Sequence, residues 1–320
     1  MSDLVFRPLV AGESALFNSL AETASGTRTG TGTGTGDAFV GRALLGQSFA
    51  TLDAGGEYRP EWSWVALRGA KVVARAAWWA KPEDSEPLAL DWFDFAEGEA
   101  EAATALLRAA PLNTEYSLLL PPDWRERPDV TAAARSRAAA VEAAGLRELV
   151  ERYRYEWTAD CPLPPRTGRL EYRPEPDDTA FRAVMARIME GTLDAHDRRM
   201  IAEQGLEAAL DETIGFFDWF PSPADWRRVA YTPDGEVAGL HVPARNPAGP
   251  CIGFIAVVPE QRGRGYSYDL LVECTHDLVD RGAVKVAAAT DRTNVPMARN
   301  FAKAGYPIVQ ERIDFVPDAV

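Results

Sequence analysis

Apolar and polar positions along this chain recur at two periods, and each change of period marks an element. In "DDTAFRAVMARIMEGTL", Phe181, Val184, Ile188 and Met189 return at three- and four-residue spacing after an acidic capping segment, which predicts an amphipathic helix. "HDRRMIAEQGLEAALDETIGFF" predicts a second helical region, interrupted around Gly205. "WRRVAYTPDGEVAGLHVPA" reads as a hairpin about Pro233-Asp234-Gly235. "CIGFIAVVP" is a strand, "GYSYDLLVECTHDLVDRG" a helix ended by Gly282, and "AVKVAAAT" another strand. "VPMARNFAKAG" is a short helix and "IVQERIDFV" a final strand. With "RLEYRP" ahead of them the order is β-α-α-β-β-β-α-β-α-β, a mixed α/β domain.

The pattern occurs twice. "EAAGLRELVERYRYEW" lies against "AKAGYPIVQERIDFV", with Gly145 and Arg152 standing 160 residues before Gly305 and Arg312. "VFRPL" resembles "EYRPE", and "WVALRGAKVVARA" resembles "RVAYTPDGEVAGL". A period this long means two copies of a domain, not a solenoid. The proline-rich, polar stretch "TADCPLPPRTGR" reads as the link. The sequence division is therefore 1–160 and 165–320. The low-complexity segment "SGTRTGTGTGTGD" reads as a flexible loop, since no strand feeds it and no lysine-bearing helix start follows.

Composition narrows the function classes. At 320 residues, 46% hydrophobic and 26% charged, the chain has room for two cores. Cys161, Cys251 and Cys274 are odd in number and lack metal-ligand spacing, and three histidines make a zinc site improbable, so no metal is expected. A formal charge of −14 argues against a nucleic-acid partner and favours approach of cationic molecules, although solubility alone accounts for it equally well. No apolar run nears the roughly 18 residues of a membrane helix. "MSDLVFRPLV" lacks the basic start of a signal peptide, which places the chain in the cytoplasm, as a monomer or homodimer.

The richest stretch is "GFIAVVPEQRGRGYSYDLL", where a strand runs into a helix through a turn with two glycines. A helix start presents unpaired N–H groups and about half a positive charge, natural partners for phosphate. Gly263 and Gly265 let the backbone approach closely, and Arg262 and Arg264 can add charge pairing. The turn is a candidate pyrophosphate cradle; the competing reading is a tight connection with solvated arginines.

This segment resembles motif A of the GNAT superfamily of acyl-CoA N-acyltransferases. The strand end is Val257-Val258-Pro259 and the turn Arg262-Gly263-Arg264-Gly265-Tyr266-Ser267, with Ser267 where glycine or alanine is usual. "NVPMARNFAKAGY" resembles motif B: Asn294, Met297 for the alanine, Phe301 for the tyrosine, Gly305 and Tyr306. The resemblance covers the second half, and the first half through the repeat. It implies two tandem GNAT-like domains, each a mixed central sheet flanked by helices, similar in architecture to the mycothiol synthase type. It also implies an acetyl-CoA (or other acyl-CoA) cosubstrate, gripped by main-chain groups of Ile255, Ala256 and Val257, by the turn, and by Asn294. Arg299 and Lys303, on the last helix, are further candidates to touch the cosubstrate's arm, with a solvated helix face as the favoured competing reading. In the first half the equivalent place, "LALDWFDFAEGEAEAATALL", carries Gly98 among Asp91, Asp94, Glu97, Glu99 and Glu101. Carboxylates there compete with phosphate, so that domain is not expected to bind CoA.

Acyl transfer to an amine needs a base, an oxyanion partner and a proton for the thiolate. His241, on the strand before the cradle, is one candidate base. "EGTLDAHD" offers Glu190, Asp194, His196 and Asp197 to recognise a cationic amine or relay its proton. A buried structural histidine and a solvated capping loop are the competing readings. His276 reads as exposed and uninvolved. Phe301 stands where relatives place a tyrosine acid, which leaves Tyr266, Tyr268 or water for that task. The expectation is an N-acyltransferase acting on a small-molecule amine. The alternatives are a catalytically impaired acyl-CoA-binding or regulatory protein and, further off, an unrelated nucleotide binder.

Overall fold

The computed structural model describes residues 4–25, 40–46, 48–81, 83–175 and 178–318. Most of the threonine-glycine stretch, residues 26–37, lies outside them. The chain divides into two compact units, residues 1–150 with 310–320, and residues 151–309.

In the first part of the chain β1 (Leu4–Pro8), α1 (Ser14–Ser25), β2 (Ser63–Arg68), β3 (Lys71–Trp79), β4 (Ala89–Phe95), α2 (Ala100–Ala109), β5 (Glu115–Leu120), α3 (Pro128–Ala143) and β6 (Leu146–Thr158) follow one another. The second part runs β7 (Glu171–Pro174), α4 (Asp178–Met189), α5 (Ala195–Gln204), α6 (Leu206–Trp219), β8 (Arg228–Tyr231), β9 (Val237–Asn246), β10 (Gly249–Val257), α7 (Tyr266–Asp280), β11 (Lys285–Asp291), α8 (Val295–Lys303) and β12 (Ile308–Pro317).

The two units repeat one pairing scheme. In the first, β1, β2, β3 and β4 pair antiparallel in turn, β4 pairs parallel with β5, and β5 antiparallel with β12. In the second, β7, β8, β9 and β10 pair antiparallel, β10 parallel with β11, and β11 antiparallel with β6. The mixed α/β order read from the sequence is the observed one, with the interrupted helical region split into α5 and α6 at Gly205, whose φ is +88°.

The units differ from the sequence halves in one respect: their last strands change places. Residues 152–158 of β6 pair with β11 in the second unit, and residues 311–315 of β12 pair with β5 in the first. Strand pairing follows the fit of edges and faces rather than closeness in sequence, so two similar strands can each complete the other's sheet.

In the second unit the sheet is packed on both faces. Phe181, Met185, Leu210 and Phe217 of α4 and α6 cover one face with Leu240 and Val242. Leu271 and Leu278 of α7 and Phe301 of α8 cover the other with Val286 and Tyr155. Burying Leu270, Leu271 and Leu278 fixes α7 by roughly 1.5–3 kcal/mol per side chain.

The polar link is a strap bound along α7. Trp157 Nε1 donates to the Pro162 carbonyl at 2.9 Å, and His276 Nε2 to the Pro164 carbonyl at 2.8 Å. Arg166 then bonds Glu273 at 3.1 Å and Asp280 at 2.6 Å, and Arg169 bonds Asp269. His276 is thus half-buried and engaged rather than exposed.

Candidate functional site

β10 and β11 are parallel neighbours, yet they pair only at Cys251↔Ala287. Beyond that point they diverge, so Ile252 through Ala256 lie in mid-sheet but are only half-buried. Pairing on the other side continues to Val257↔Gly239, interrupted by a bulge between Ile252 and Phe254. The Val258 N–H donates to the Ala238 carbonyl at 3.0 Å. Main-chain direction alternates along a strand, so Ala256 also faces β9, while Ile255 and Val257 turn their polar groups toward the opening. A Cβ on Gly239 would lie 2.2 Å from the Ala256 carbonyl oxygen, which agrees.

The turn after β10 is the one read from the sequence as a candidate phosphate cradle. Pro259 to Gln261 form one tight helical turn, Gly263 and Gly265 take φ of +79° and +80°, and Gly265 caps α7. Such angles suit glycine and strain other residues. The N–H groups of Gly263, Arg264, Gly265, Tyr266 and Ser267 find no acceptor among the described residues. Consecutive amides left without acceptors at a helix start are the kind of donor group that suits an anion.

The arginines divide their tasks. Arg262 is spent on the frame: its Nη1 donates to the Gly191 carbonyl at 2.8 Å and its Nε to the Val257 carbonyl at 3.3 Å. Arg264 is exposed. Ser267 Oγ accepts from Asn300 Nδ2 at 2.8 Å, tying α8 to the start of α7. The serine that departs from the usual small residue therefore gains a partner.

The connection from α4 to α5 bridges the two diverging strand ends. At one end Gly191 meets Arg262, past the end of β10. At the other the Ala195 N–H donates to Oδ2 of Asp291, the last residue of β11, at 2.7 Å. Between them is a charged cluster. Asp194 caps α5 by accepting from the N–H groups of His196 and Asp197 at 2.9 and 3.2 Å. Arg152 lies 3.2 Å from both Asp194 and Asp291, and Thr192 donates to Asp197 at 2.9 Å. Burial, with Asp194 nearby, pushes the Asp197 carboxyl up to about 6. The same two causes raise Asp291. Glu190, at the end of α4, is exposed.

Other sequence candidates sit elsewhere. His241 lies opposite Ile255 and is 0% exposed, its Nε2 donating to Asp277 Oδ2 at 3.2 Å. Its Nδ1 is buried with no partner among the described residues. Asn294 Oδ1 caps α8 by accepting from the Met297 N–H at 3.3 Å. Met297 packs against the core that holds Phe301. Lys303 is not merely solvated: its ammonium lies 3.7 Å above the Tyr268 ring. Sequence reasoning passed over Arg152, Asp291 and Arg169, whose polar partners lie far along the chain.

The first unit treats the same region differently. β4 and β5 also pair only briefly, at Ala89↔Glu115 and Leu90↔Tyr116. There the turn Gly41–Leu45 packs against both strands, and Arg42 binds Asp91, which also accepts from Tyr58 at 2.5 Å. Asp94 lies between Arg75 and Arg137 at 3.0 and 3.2 Å. Asp91 and Asp94 thus neutralise arginines within the strand rather than crowd a helix start. At α2 the acids are Glu99, its capping residue, and Glu101 in its first turn.

Residues 187–306 match the acetyltransferase (GNAT) family model. A GCN5-related N-acetyltransferase from Sphaerobacter thermophilus is similar in structure, with 15% identity, 98% of this chain and 94% of that one covered, and a TM-score of 0.53. A GCN5-related glucosamine N-acetyltransferase region of a fungal multi-domain GH3 β-N-acetylglucosaminidase gives 11% identity, 98% and 38% coverage, and a TM-score of 0.53. A tandem GNAT protein from the clavulanic acid biosynthesis pathway gives 16% identity, 98% coverage of both chains, and a TM-score of 0.45. No curated protein matches the chain. The chain resembles the GNAT acetyltransferases, and its fold is two GNAT-like units in tandem.

Proposed function

We propose that the second unit is an N-acyltransferase that takes an acyl group, acetyl by preference, from acyl-CoA and gives it to the amine of a small molecule. The observation that carries this is the row of five free amides from Gly263 to Ser267, opening beside the diverging strands β10 and β11. The family match at 187–306 supports acyl transfer in general.

The residues present fit the cosubstrate. The amides, with Arg264, hold a diphosphate, and the outward main-chain groups of Ile255 and Val257 pair with an extended amide-bearing arm. Acyl-CoA supplies the activated thioester. An N–H on that strand edge stabilises the oxyanion, because a fixed dipole in a poorly solvated site costs little reorganisation.

The acceptor approaches as a cation toward Asp194, the half-buried carboxylate of the cluster, Asp197 and Asp291 being buried. Asp197 is the candidate proton acceptor, since burial and the neighbouring Asp194 raise its carboxyl to about 6, and the same causes raise Asp291. His241, walled in at 0% exposure, serves the frame rather than the reaction. The first unit leaves CoA to the second, its own strand gap being filled by Gly41–Leu45.

The test is release of free thiol from acetyl-CoA over a panel of small amines, with calorimetric titration of CoA in parallel. Turnover with one CoA bound per chain supports the reading. Tight CoA binding without turnover on any amine points to a CoA-responsive binding protein instead.

A further inference from the structure

The donor array at the start of α7 has a weakness of its own making. Glycine crosses freely between positive and negative φ, so the peptide joining Arg264 to Gly265 is free to turn over and present its carbonyl where its N–H should be. Something has to hold it.

Arg169, near the end of the strap, is placed to do so. Its Nη1 and Nη2 donate to the Arg264 carbonyl at 3.2 and 3.1 Å. Its Nε donates to Asp269 Oδ2 at 2.9 Å, and its Nη2 bonds the same oxygen. The guanidinium lies 5.0 Å over the Tyr266 ring. A Cβ on Gly265 would come within 3.4 Å of Arg169 Nη2. One side chain thus touches the turn, the capping glycine's surroundings and the first turn of the helix together.

The consequence follows from peptide geometry. No peptide in the described chain is cis, and in a trans peptide the C=O and the following N–H point in opposite directions. Pinning the Arg264 carbonyl toward Arg169 therefore aims the Gly265 N–H away from it, into the array. The second bond matters as well. Asp269 is 2% exposed and sits in the first helical turn, where an unpaired carboxylate would repel a diphosphate. Arg169 pairs with it.

We infer that Arg169 is a positioning residue for the acyl-CoA site: it locks the Arg264–Gly265 peptide with its N–H facing the anion. The inference rests on the CoA reading of the cradle. The lock acts on the diphosphate-bearing end alone and leaves the acyl-transfer end unaltered.

The test compares CoA with S-acetylpantetheine, which lacks the diphosphate, on the full chain by calorimetry and steady-state kinetics. Arg169→Ala should raise the Kd for CoA at least tenfold and the KM for acetyl-CoA in parallel, with kcat unchanged and S-acetylpantetheine handled as before. Arg169→Lys should recover only part, since an ammonium is a point charge and cannot fork across carbonyl and carboxylate. If Arg169→Ala does not fold, Arg169→Gln gives the same readout with the volume nearly kept. CoA affinity within twofold of the parent overturns the lock, as does equal loss for both ligands or full recovery with lysine. Failure of the parent chain to bind CoA at all is a different result, and it removes the cradle reading beneath.

Discussion

The rings of Phe301 and Tyr155 lie face to face, 4.2 Å between centroids and 16° from parallel. Tyr306 meets Phe301 edge-on at 5.3 Å. Phe301 is 1% exposed, so the position where the sequence resemblance leads one to expect a tyrosine acid is here filled by core packing between α8 and β6.

Phe301→Ala should accordingly cost about 3–5 kcal/mol of stability, the usual loss for a buried aromatic ring. Denaturant unfolding measures it. A loss below about 1 kcal/mol would mean that the stack contributes little and that the ring answers to something other than packing.

Gly265→Asp should lower CoA affinity by two orders of magnitude or more. It forces a side chain onto φ of +80° and adds a like charge among the amides that would grip phosphate. Calorimetry reads the effect directly, and unchanged affinity would remove the cradle from consideration.

Asp197 yields a prediction with a sign. Its folded-state carboxyl stands at about 6 against an ordinary 3.8. The folded chain therefore holds the proton more tightly, and stability declines as pH rises from about 4 to 6. Asp197→Asn removes that penalty and should gain on the order of 2–3 kcal/mol at pH 7.5, with little change at pH 4. Turnover should fall in the same variant and lose its acid limb near pH 6. A variant as active as the parent, with that limb intact, would clear Asp197 of any part in proton transfer.

His241→Gln should affect stability and leave the pH–rate profile alone. Burial by itself would raise Asp277, but the His241 hydrogen bond, with Arg228 and Arg281 nearby, holds it below the usual range. A depressed carboxylate contributes above its unfolded value and loses that contribution as pH falls. The variant should therefore be about 1–3 kcal/mol less stable at neutral pH, the difference fading in acid. A shifted profile with unchanged stability would return His241 to the reaction.

Much of this was written in local pattern. Spacing alone located α4 and α7, the hairpin at Asp234-Gly235 and the break at Gly205, because each depends on neighbours within four residues. The glycine turn was legible for the same reason: Gly263 and Gly265, both at positive φ, follow directly on the end of β10. What stayed hidden depends on distance. Arg169 looked like a linker residue because its partner Asp269 is 100 positions away. Arg152 and Asp291 lie on two strands that nothing in periodicity pairs, and Ala195 reaches Asp291 across 96 positions. The exchange of β6 and β12 was equally invisible, since the two strands carry similar patterns.

That exchange bears on how the polypeptide matures as it is made. Residues 1–150 of the first unit are made first, yet the segment that completes their sheet, residues 311–315, is made only after residues 151–309. Until then the edge of β5 waits with unpaired amides and carbonyls, open to a stray strand from another molecule. Emergence of residues 311–315, rather than of the first 150 residues, sets the earliest moment at which that unit can close.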